Sequence, residues 1–162
     1  MKPFFFDYFR VMDKEKFFQT EYLPLLDRIN PDQHPNWGVL SPQGMIEHMT
    51  DSIGIGWKRV QYPLQYPEEI VSKSKAFMLS DKPFKPGTKN SLMSEAPEPL
   101  RCIDLNGAKE ELKGEIGQFL TYWKENPGEK VTNPFFGDLN YTEWLHLLHK
   151  HALHHLKQFG IE

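Results

Sequence analysis

The segment from Asn140 to Gly160 is a helix written out in full, and it fixes the class of fold open to this chain. Asn140 followed three residues later by Glu143 has the spacing of a capping box, with Asn in place of the usual Ser or Thr. Gly160 stands where a C-cap glycine belongs. At about 100° per residue, with Leu148 as origin, Tyr141, Trp144, Ala152 and Phe159 fall within about 40°, and Leu145 and Leu156 lie within about 80°. A helix with one wide apolar stripe has to be covered by other elements.

Three more stretches carry helical period, separated by proline-rich or glycine-rich connections. The first is expected from about Lys14 to Ile29, with Asp13 as cap and Phe17, Phe18, Tyr22, Leu25, Leu26 and Ile29 as its inner side; Pro24 should kink or interrupt it. The second opens at Ser41 and Pro42, has Met45, Met49, Ser52, Ile53 and Gly56 on one side, and should end between Trp57 and Val60. The third spans roughly Asn106 to Lys124, with Ala108, Leu112, Ile116, Phe119, Leu120 and Trp123 inside; Gly114 and Gly117 weaken it or admit a close neighbour. Between the second and third, Pro63 to Pro99 is irregular apart from a short helix from about Pro67 to Met78. So long a connection is often functional or faces a partner. Asn133-Pro134-Phe135-Phe136-Gly137 reads as a tight aromatic loop. No segment alternates convincingly as a strand, so the expectation is an all-α bundle of four helices in a single domain, 1–162.

Bulk properties narrow the function. With 162 residues, 39% of them hydrophobic, the chain can bury one real core. A formal charge of −3 with scattered Lys and Arg gives no field for nucleic acid. One cysteine, Cys102, leaves no internal disulfide. Met1-Lys2-Pro3-Phe4-Phe5-Phe6-Asp7 is too short an apolar run for a signal peptide, and no 18-residue apolar run offers a membrane span. The expected location is therefore the cytoplasm.

Seven histidines are present, and five fall between His146 and His155. On the wheel of the last helix His155 lies about 20° and His151 about 60° from Leu148, both on the covered side. Lys150, Lys157 and His146 point nearly opposite, toward water, with His149 and His154 on the flanks. His151 and His155 are also one turn apart, so two imidazoles can reach a single ion. Two unpaired imidazoles in a core cost roughly 1–3 kcal/mol each, which a metal or dedicated hydrogen-bond partners must offset. His48, on the second helix beside Met45 and Met49, is the natural third corner; His34 sits in a loop with no fixed direction. Three neutral imidazoles suit Zn²⁺ or Ni²⁺ first, and Fe²⁺ or Co²⁺ as well. They leave a position open for water or substrate, as in catalytic zinc sites. Gln158 and Asp51 are candidates to orient ring N–H groups.

Other constellations carry less. Glu143 and His146 have Glu-x-x-His spacing, but a di-iron bundle needs two such motifs and both side chains point outward. Cys102, just ahead of the third helix, is either a thiol activated by a helix N-terminus or a small packed residue, and the second is favoured. Phe135 and Phe136 line a pocket or plug the last helix.

A histidine on the second helix followed by His151-Ala152-Leu153-His154-His155-Leu156-Lys157-Gln158 on the last resembles the DinB/YfiT-like superfamily of metal-binding four-helix bundles. The Asn133–Gly137 loop and Trp144 resemble a DinB-like subgroup of uncharacterised function. Leu156-Lys157 departs from the Arg-Gly that many members carry before the Gln. The resemblance implies an up-down-down-up bundle, often a homodimer, with ligands His48, His151 and His155, and His154 present without ligating. It also implies thiol-dependent S-transferase chemistry on a small molecule. A metal-dependent hydrolase, for which no side chain stands out as general base although Glu47 and Asp51 are near in sequence, and a non-catalytic metal-binding stress-response module are the alternatives.

Overall fold

The computed structural model describes residues 3–162, with side chains from Arg10 onward; the N-terminal aromatic cluster lies outside the described side chains. The chain is mostly helical, with six α-helices and one two-stranded sheet among the described residues.

The first helical unit begins earlier than the periodicity implies. Helix α1 spans Pro3–Lys16, so Asp13 lies within it and caps nothing. The helix then widens into a π-helical turn over Phe17–Glu21, where Tyr22 N–H donates to Phe17 O, and returns to α geometry in α2, Tyr22–Leu26. Pro24 accounts for the widening. Its ring presses on the carbonyl four residues back and it has no N–H to offer, so the preceding turn opens instead of breaking. Phe17, Phe18, Tyr22, Leu26 and Ile29 are buried.

Helix α3 spans Pro42–Ile55, with the Ser41 hydroxyl accepting from Gly44 N at 3.0 Å. It lies along α5, Leu105–Glu125, which Asp104 caps through Gly107 N. Gly56 lets the chain pack closely here: a Cβ there would meet Phe119 at 2.9 Å and Trp144 at 3.0 Å, and Trp123 Nε1 donates to Gly56 O. At Gly114 and Gly117 no neighbour approaches, because a Cβ at either would meet open space, so the close-neighbour alternative is the one that falls.

Helix α4, Glu68–Leu79, packs on α6, Tyr141–Gln158. The capping box of α6 is complete, with Glu143 N donating to Asn140 Oδ1 and Asn140 N to a Glu143 carboxylate oxygen, each at 3.0 Å. At the other end Gly160 takes φ +75°, Gly160 N donates to Lys157 O and Ile161 N to Leu156 O, closing a Schellman motif.

Two sequence expectations are corrected here. The aromatic loop is the tip of a β-hairpin, β1 Val131–Asn133 against β2 Gly137–Leu139, antiparallel with Thr132 opposite Asp138. Strands of three residues are too short to display alternation. The Asn133 side chain closes the turn by accepting from Phe135 N and Phe136 N, and Trp144 Nε1 ties the hairpin to α6 through Val131 O. The second correction concerns Lys150 and His146, which do not face water. Lys150 Nζ donates to the carbonyls of Phe77, Met78 and Ser80 at 3.0–3.2 Å, and His146 Nε2 lies 3.0 Å from Met78 O. The end of α4 covers that face of α6, and the ammonium satisfies carbonyls that a helix C-terminus leaves open. Lys157 is exposed as expected.

Candidate metal centre

His151 and His155 project from successive turns of α6, and His48 faces them from α3. His48 Nε2 lies 3.1 Å from His151 Nε2, and His155 Nε2 lies 2.9 Å from the same atom. The three ligand nitrogens all lie within 4.8 Å of one another. Nitrogens about 2.0–2.1 Å from a shared ion at angles of 90–109° would be separated by roughly 2.8–3.4 Å, and both edges fall within that range. These three histidines can hold a metal ion.

The protonation pattern agrees with that geometry. His155 Nδ1 lies 2.8 Å from Gln158 Oε1, and Gln158 Nε2 donates to Trp37 O at 2.8 Å. The Trp37 carbonyl can only accept, so it settles which end of the amide faces His155. Oε1 then receives the proton on Nδ1, and His155 Nε2 presents a lone pair to the cluster. Three Nε2 atoms converging around one fixed lone pair form a donor set for a cation. Burial pushes His48 down to about 4, against the opposing charge of Asp51. Burial, with the nearby His48, takes His155 to about 3, against the Gln158 hydrogen bond, and burial with the neighbouring imidazoles lowers His151 well below the ordinary value. All three rings are therefore neutral near pH 7, the state that binds metal.

The remaining candidates fall into place around this core. Gln158 is buried and held by the loop before α3, where Asn36 N also donates to Gln158 O and Gln33 Nε2 to Phe159 O. Gly38, at φ +74°, permits this, since a Cβ there would stand 3.1 Å from Gln158 Nε2. Asp51 spends its oxygens on Arg59 at 3.2 Å and Arg101 at 3.0 Å. Glu47 is buried and accepts from Arg101 N, Cys102 N and Gln43 Nε2, pinning the long connection to α3. His154 packs its ring against Trp37 and Phe84. Phe136 stacks on Phe84, and Phe135 lies beyond it beside Tyr66. His34 is exposed in its loop. Cys102 is a packed thiol whose pKa is pushed up to about 11 by burial and by Glu111, so the helix end does not activate it.

Sequence reasoning missed Trp37, Gly38 and Phe84. None lies in a periodic segment, and a loop residue's direction is written only in the tertiary path of the backbone.

Fold and site together define a mostly helical protein with a three-histidine cluster able to bind a metal ion. No protein-family model matches the chain, and no curated protein or solved structure matches it. No helix among the described residues is long and apolar enough to cross a membrane.

Proposed function

We propose that this chain is a metal-dependent enzyme of the DinB-like kind, an up-down-down-up four-helix bundle that transfers a low-molecular-weight thiol onto a small electrophile at a His48–His151–His155 centre. The observation that carries the proposal is the convergence of three Nε2 atoms with separations of 2.9 and 3.1 Å around one lone pair of fixed direction. Zn²⁺ or Ni²⁺ is the expected ion, ahead of Fe²⁺ and Co²⁺. What a divalent ion supplies at three imidazoles is an open coordination position and a lowered pKa for the thiol that takes it.

The chain's own residues do the rest. Gln158 holds the His155 proton on Nδ1 and keeps its Nε2 free. His48 and His151 stay neutral through burial; Phe84 packs edge-on to His151, and His154, itself against Trp37, packs on His155. The thiol reading is supported over the hydrolytic one by the carboxylates nearest in sequence. Glu47 is committed to backbone N–H groups and Asp51 to two arginines, so neither is placed as a base for water.

Metal analysis of protein purified without a histidine tag, beside the His48→Ala/His151→Ala/His155→Ala variant, tests the centre. One equivalent in the natural chain and none in the variant is expected. Loaded protein is then assayed for conjugation of thiols to electrophiles; activity that ignores added thiol would favour the hydrolase, and equal metal uptake by the variant would end the proposal.

A further inference from the structure

From 81 to 100 nearly every residue is exposed, yet Phe84 is drawn inward. Its ring stands edge-on to His151 at 6.4 Å and 89°, and to His154 at 6.2 Å and 84°. Phe136 lies nearly parallel to it at 6.4 Å. The Lys150 ammonium, fixed by three carbonyls at the end of α4, sits 5.1 Å from its centroid. Pro83 and Pro86 flank the ring and stiffen the chain that carries it. Of the three clustered histidines His155 is buried, whereas His48 and His151 keep partial exposure. The remaining exposure of the cluster is thus on the His48 and His151 residues, and Phe84 stands against the His151 ring on that side.

We infer that Phe84 is the access gate and size-selecting residue of the three-histidine centre, admitting small or flat apolar molecules and slowing bulky charged ones. This rests on the metal reading above. The ring is held by edge-on aromatic pairs and one cation over its face, and the Phe84 backbone hydrogen-bonds His154; together these bias a closed position by at least about tenfold. Such a gate stays shut most of the time and opens without unfolding anything. Only the proline-flanked segment has to move, giving up its backbone hydrogen bond to His154, while His155, Gln158 and Trp37 keep theirs.

The test uses the full chain loaded with Co²⁺, whose visible absorption reports a sulfur ligand entering the coordination sphere. Association of 2-mercaptoethanol and of glutathione is followed for the natural protein and for Phe84→Ala, Phe84→Leu and Phe84→Trp. The two smaller side chains should retain one Co²⁺ and bind glutathione about tenfold faster, with 2-mercaptoethanol little changed. Phe84→Trp should slow glutathione further. A glutathione-to-mercaptoethanol rate ratio identical in all four proteins overturns the gate while leaving the metal centre intact. Loss of Co²⁺ from both Phe84→Ala and Phe84→Leu also overturns it, since the ring would then be a support for His151. Failure of the natural protein to take up Co²⁺ removes the metal reading and the gate together.

Discussion

Gln158 Oε1 stands 2.8 Å from His155 Nδ1, and the opposite end of the same amide donates to the Trp37 carbonyl. A backbone oxygen in the loop before α3 thus determines, through one side chain, which nitrogen of His155 carries its proton. The metal-facing lone pair is a product of the loop as much as of the helix.

Replacing Gln158 by Leu should therefore weaken Zn²⁺ binding by about 10–100-fold with His48, His151 and His155 all still present. Competition titration against a coloured chelator gives the constant. Gln158→Glu should fall between the two, because its carboxylate can accept from Nδ1 but cannot donate to Trp37 O. Equal affinity in all three proteins would mean that the His155 tautomer is set elsewhere.

Lys150 reaches the end of α4 under close cover. Lys150→Met leaves the carbonyls of Phe77, Met78 and Ser80 without the ammonium, a loss of about 1–3 kcal/mol. The melting temperature should drop, and amide exchange should quicken in the last turn of α4 more than in α5. A stability change below a few tenths of a kcal/mol would show that water replaces the ammonium freely.

Cys102 makes a prediction in pH. Burial first, then Glu111, raises its pKa to about 11, so the thiolate form is nearly absent at pH 8 and grows only as pH climbs toward 11. Alkylation by iodoacetamide at pH 8 should run about two orders of magnitude slower than that of free cysteine. Glu111→Gln removes a negative neighbour and a hydrogen-bond acceptor, so the rise in rate should move to lower pH. Fast labelling at pH 7 in the natural chain would contradict the packed environment.

The capping box gives a stability prediction away from the site. Asn140→Ala should cost about 1 kcal/mol in urea unfolding, and Asn140→Asp should stay near the natural value. Metal binding should be unaffected by either, as the cap lies at the opposite end of α6 from His151 and His155.

Much of the helical framework was legible because a helix is a local object. Ser41, Pro42, Asn140, Glu143 and Gly160 act on backbone groups within a turn, so their roles follow from spacing. Where a distant neighbour intervened, local rules failed. Pro24 signalled an irregularity, but not that the turn ahead of it widens into a π-helix instead of breaking. The hairpin at Val131–Leu139 was hidden by strands too short to show a period. Lys150 and His146 were assigned to water because a helical wheel gives angle alone and cannot know that α4 ends against that face.

The same division runs through the candidate site. Helical period alone put His151 and His155 one turn apart on the covered side of α6, and His48 on a helix that could face them. Direction along a helix follows from 3.6 residues per turn and needs no partner. Only the tertiary structure decided that the three rings share one point, that Gln158 is locked by Trp37, and that Phe84 closes in from a distant connection. Those facts concern distances between segments far apart in the chain, and such distances are set by how the whole core packs.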